Sequence, residues 1–212
     1  LRDFEYAYMT RIRDDRKQVE PFLQKMQALD EDTYHKLNIA LKNSDTEMVN
    51  SIIKDNDMAA EYTEVRNILE GIHKRATDSG LDMGYIDEYF PRRVINYDGL
   101  LAAFDKKAQG AIEKAIQTKS DELKRPLDLA EKSAVINSLI QRRNLGGGKP
   151  KHARGRSVWA VDSELLQYYE DPSATLLSYI DSMNETVAVN NYFGKGKNKI
   201  DTIGEYVAKM VE

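Results

Sequence analysis

The 212 residues contain no cysteine, which excludes a disulfide framework, thiolate metal ligation and a Cys nucleophile. Proline is scarce at 5 residues, so little interrupts helix formation. No apolar run approaches the roughly 18 residues that span a bilayer, and the opening LRDFEYAYMTRIRDD has neither the basic start nor the apolar stretch of a secretory signal. A soluble chain is expected, placed in a virion or in bacterial cytoplasm, with no membrane partner. The three histidines, His35, His73 and His152, fall in separate stretches without i, i+4 spacing, and neither GxSxG nor HExxH occurs. No catalytic residue, metal site or cofactor is therefore assigned, and the chain is read as no enzyme. The net charge of −4 supplies no global attraction to nucleic acid.

What the sequence does have is charge at 31% and apolar residues at 41%, arranged with helical spacing. Phe4, Tyr8, Ile12, Val19, Phe22, Met26 and Leu29 form one stripe, with a polar turn expected at Asp15 and a helix break at Pro21. Short helices are predicted over 33–42 and 46–54, capped by Asp32 and Asp45. Met58, Tyr62, Val65, Leu69, Ile72 and Ala76 step by fours and threes along one face, and Gly80 stands where a left-handed cap is wanted. Further helices are predicted over 99–104, 106–124 and 129–143, then from Asp162 through Tyr169, from Pro172 toward Tyr192, and over 200–211. Ser157 to Val161 reads as a short extended piece. The fold class is thus all-α: an irregular bundle of about 8–10 helices, read as subdomains 1–80 and 81–212 that pack separately or as one.

Two features stand apart. Residues 80–99, GLDMGYIDEYFPRRVINYDG, combine glycine and proline with several aromatic rings and are expected to be an ordered connector, because such rings need burial. Tyr89, Phe90, Arg92 and Arg93 within it could stack on bases, but anchoring to the core is the favoured role. Residues 142–156 carry six Lys or Arg, no acid and three consecutive glycines, a basic loop suited to phosphate contact. Arg142, Arg143, Lys149, Lys151, Arg154 and Arg156, with Lys195, Lys197 and Lys199 of a second basic turn, are the candidate nucleic-acid contacts. GGGKP is not a phosphate loop, since Arg143 occupies the first glycine position and Pro150 replaces the Ser or Thr that holds magnesium.

The strings GYIDEYFPRRVINYDGLLAAF, RPLDLAEKSAVINSLI and HARGRSVWAVDSELLQYYEDPSATLLSYIDSMNETVAVNNYFGK resemble segments of very large bacteriophage and prophage polypeptides, over about residues 80–195. Some of these giant multidomain proteins are virion components injected with the genome. The resemblance implies one helical module of a long chain, consistent with a sequence that opens on Leu1, and it carries no catalytic residues over. A structural or interaction module is expected, docking through helix faces onto neighbouring segments of the same chain or other virion subunits. A DNA- or RNA-binding module, or a domain of an injected enzyme with its activity elsewhere, are the alternatives.

Overall fold

In the structure, a computed structural model, residues 2–81, 89–144 and 161–194 are described. Among them the regular elements are helical, as the apolar spacing predicts: α1 (Arg2–Gln27), α2 (Glu31–Asn43), α3 (Thr46–Asp55), α4 (Ala59–Asp78), α5 (Tyr97–Ala103), α6 (Lys106–Leu123), α7 (Leu129–Asn144) and α8 (Pro172–Phe193). A 3₁₀ turn spans Leu166–Tyr168, and Val94 forms an isolated antiparallel bridge with Tyr169. The protein is an all-α, multi-helix fold. The predicted extended stretch before Val161, the glycine-rich loop and the terminal helix over 200–211 lie outside the described residues.

Local chemistry explains most boundaries. Asp45 accepts from the Met48 amide at 3.1 Å, the expected cap of α3. The cap of α2 is Asp30 rather than Asp32: its carboxylate accepts from the Thr33 amide at 3.0 Å, so the helix starts two residues earlier than the apolar stripe suggests. At the end of α4, Gly80 has φ 84°, and the Leu81 and Gly80 amides return to the Ala76 and Thr77 carbonyls. Only glycine enters this left-handed conformation without steric cost. Ahead of α7, Asp128 and Glu131 form a reciprocal capping box, each carboxylate accepting from the other's amide at 2.8 and 2.9 Å. Arg125 holds Glu131 through two guanidinium bonds and keeps its carboxyl low, at about 2.

Three further expectations fail locally. Pro21 does not break α1, which runs through it. Pro21 is exposed between buried Val19 and Phe22, and the carbonyl that loses its amide partner belongs to Lys17, also an exposed residue. Asp15 is no polar turn, being buried in the same helix at 1% exposure. The segment after Asp162 forms turns and a 3₁₀ turn, not an α-helix, although Asp162 does accept from the Glu164 and Leu165 amides at 3.0 Å.

The chain divides into two compact units that interleave in sequence, where composition placed a boundary between residues 80 and 81. Unit 1 comprises Leu1–Leu29, Ile53–Tyr89 and Leu176–Glu212. In it α1 packs on α4, the Phe22 and Tyr62 rings meeting at 5.5 Å, and the whole predicted stripe from Met58 to Ala76 is buried. Leu176, Ile180 and Val187 form the buried face of α8. Unit 2 comprises Asp30–Ile52 and Phe90–Thr175. Its core gathers Leu100, Phe104, Ile112, Ile136, Val161, Leu165 and Tyr169, from α5 and its C-cap, α6, α7 and the stretch around the 3₁₀ turn. Among the described residues no helix is long and apolar enough to cross a membrane.

Candidate functional site

In unit 1 a carboxylate, a guanidinium and an amide meet from three helices. Asp15 of α1 lies among the apolar positions Ile12, Val19 and Phe22, so helix formation carries its carboxylate inward. Its Oδ2 accepts from Arg75 Nη2 of α4 at 2.7 Å and from Asn184 Nδ2 of α8 at 2.9 Å. Arg75 Nη2 donates also to Asn184 Oδ1 at 3.2 Å, and Asn184 Nδ2 to the Ile180 carbonyl at 2.9 Å. Gly71, one turn before Arg75, leaves room for the guanidinium, since a Cβ there would lie 3.2 Å from Nη1. Burial lowers the Arg75 pKa, the Asp15 charge opposes that, and the Arg11 charge adds to the lowering. Beside the network, Arg16 of α1 grips Asp181 of α8 through Nε and Nη2.

This network forms one wall of a cavity of about 400 Å³. Tyr8, Ala7 and Arg11 of α1 line it on one side and Val187, Ala188, Asn191 and Tyr192 of α8 on the other, with Arg75 and Asn184 at the polar wall. A concave, largely apolar space with a few placed polar groups is the usual form of a small-ligand site.

Unit 2 has a second polar cluster. Lys42 of α2, 2% exposed, donates to Asn38 Oδ1 at 2.6 Å and to the Glu170 carbonyl at 3.0 Å. Both acceptors are neutral, and burial lowers the amine to about 8, with Arg92 adding to the lowering and Asp171 and Glu170 opposing it. Tyr34 donates to Asp171, and burial together with that carboxylate raises its phenol. Asn43 exchanges two bonds with the Val161 backbone, at 2.7 and 2.8 Å, so α2 is tied to the 161–171 stretch through side chains. The Tyr169 hydroxyl is buried without a hydrogen-bond partner among the described residues, and burial pushes it up to about 12.

The residues singled out in the connector differ in exposure. Phe90 is 1% exposed and Arg92 7%, so neither presents a face to a base. The Tyr89 ring sits 5.8 Å from Tyr179 edge to face, and its carbonyl accepts from Arg66 at 2.6 Å. Arg93 is exposed and reaches Glu170 at 3.4 Å. Of the basic candidates, Arg142 and Arg143 belong to the last turn of α7 and their side chains lie outside the described residues. Lys149, Lys151, Arg154, Arg156, Lys195, Lys197 and Lys199 lie outside them entirely. Among the described residues no three His, Asp or Glu side chains come together as a metal site.

Sequence reasoning missed Asp15, Arg75, Asn184 and Lys42. A signal existed: Asp15, Asn184 and Lys42 each interrupt an apolar helical stripe at a position spaced for burial. Their partners left none, because Asp15 and Asn184 stand 169 residues apart. No family model, curated protein or solved structure matches the chain.

Proposed function

We propose that the chain is a non-catalytic interaction module of a large phage-type polypeptide, docking through the outward face of α1 onto an acidic, amphipathic helical segment. The observation that carries this reading is the composition of that face. Tyr6 is 75% exposed and Met9 57% exposed, one turn apart. Arg13, with its side chain 70% exposed, and exposed Lys17 continue the same stripe at i+7 and i+11. Two large apolar side chains followed by two cations suit a partner helix that offers apolar anchors and then carboxylates. The cations give the encounter its direction and the apolar pair its buried area.

The test places the photo-cross-linker p-benzoylphenylalanine at position 9 in the native assembly and identifies what it captures. The expected product is an acidic helical segment, lost when Arg13→Glu and Lys17→Glu are combined and weakened by salt. Capture that is indifferent to the charge reversal, or absent altogether, rejects the docking face.

A further inference from the structure

We infer that the unit 1 cavity between α1, α4 and α8 is a binding site for an organic carboxylate with an apolar body. The inference concerns the side of α1 that carries Ala7, Tyr8 and Arg11 and is independent of the docking proposed for the side that carries Tyr6 and Met9. It starts from charge. Two guanidinium groups, Arg11 and Arg75, line the same cavity, no carboxylate is among its lining residues, and Asp15 beside it is committed to Arg75 and Asn184. Arg11 forms no ion pair among the described residues and stands close enough to Arg75 for its charge to be felt there. Arginine keeps its proton at any ordinary pH, so the cavity keeps its positive charge and favours an anion.

The geometry of the polar wall adds a direction. Arg75 Nη2 is held by Asp15 and Asn184. That network fixes the guanidinium in place before any ligand arrives, so little rotamer freedom is lost on binding. Arg11, at the rim, completes a two-cation grip on a carboxylate, the acceptor geometry that guanidinium groups match best. Ala7, Val187 and Ala188 supply apolar surface and Tyr8 and Tyr192 supply rings, which excludes a bare inorganic ion as the best occupant and favours an aromatic or branched body. A volume of about 400 Å³ lies within the range of small-ligand sites.

Such a carboxylate has two sources, a free small molecule or the end of a peptide chain. Titration of the full 212-residue chain with 3-phenylpropionate, 3-phenylpropionamide and N-acetyl-Leu-Phe separates them, read by calorimetry and by the methyl resonances of Ala7, Val187 and Ala188. The carboxylate is expected to bind about tenfold more tightly than the isosteric amide, which loses a charge-assisted bond. Tighter binding of N-acetyl-Leu-Phe than of phenylpropionate assigns the site to a chain terminus, and weaker binding to a free molecule. Arg11→Met, at an exposed position that folding does not need, is expected to remove the preference for the carboxylate. Ala188→Phe, which fills the cavity and leaves both cations, is expected to block all three probes. Equal binding of acid and amide, an unchanged preference in Arg11→Met, or no methyl shift with any probe at millimolar concentration overturns the assignment.

Discussion

Asp15 and Lys42 are both ionisable groups set inside apolar stripes, and they are tolerated for different reasons. Asp15 is matched by a guanidinium and an amide, so its removal leaves Arg75 without its counter-charge. Asp15→Asn is expected to cost about 2–4 kcal/mol in urea unfolding, the lower end reflecting the partial exposure of Arg75. The double change Asp15→Leu with Arg75→Met is expected to recover most of that loss, because no charge is then stranded. Lys42 has only neutral acceptors in direct contact, with Asp171 and Glu170 favouring its charge from nearby and Arg92 opposing it. Its amine titrates at about 8 in the folded chain against 10.5 when free, so the unfolded chain binds more protons between those values. Stability from this group therefore rises as pH goes from about 8 to 10.5 and is flat below. The difference between the wild type and Lys42→Met, which cancels the tyrosine titrations common to both, is expected to show that rise, and a difference independent of pH would contradict it.

Helix boundaries and faces were legible wherever the deciding interaction is local. The α4 stripe, the Asp45 cap and the Gly80 turn depend on residues within one helical turn of each other, and spacing alone finds them. Pro21 misled for a physical reason: proline breaks a helix by orphaning a carbonyl and crowding a turn, and an exposed position where flanking Val19 and Phe22 are buried supports the helix through it. Pro21→Ala is accordingly expected to stabilise the protein by about 1–3 kcal/mol in thermal or urea unfolding, since the helix is already formed there. Gly80→Ala is expected to destabilise it by about 1 kcal/mol, because the φ of 84° is kept by the bonds to Ala76 and Thr77. Reversal of either sign would show that these positions are held by something other than helix geometry.

At the level of the whole chain, fold class could be read from sequence and unit composition could not. Amphipathic periodicity is a local property, whereas the pairing of residues 1–29 with 53–89 and 176–212 rests on contacts such as Asp15 to Asn184 that leave no local trace. The same limit hid the unit 1 cavity, whose lining comes from three separated helices. The outward face of α1 is the converse case, since Tyr6 and Met9 belong to one turn and their exposure follows from which side of the helix the core residues occupy. Met9 and Met48, the latter 46% exposed on α3, provide an internal comparison for the docking proposal. Oxidative footprinting of both methionines, in the isolated chain and in its native assembly, tests it most directly. The expected result is protection of Met9 on assembly with Met48 oxidised as in the isolated chain. Equal oxidation of Met9 in the two states would contradict docking through this face.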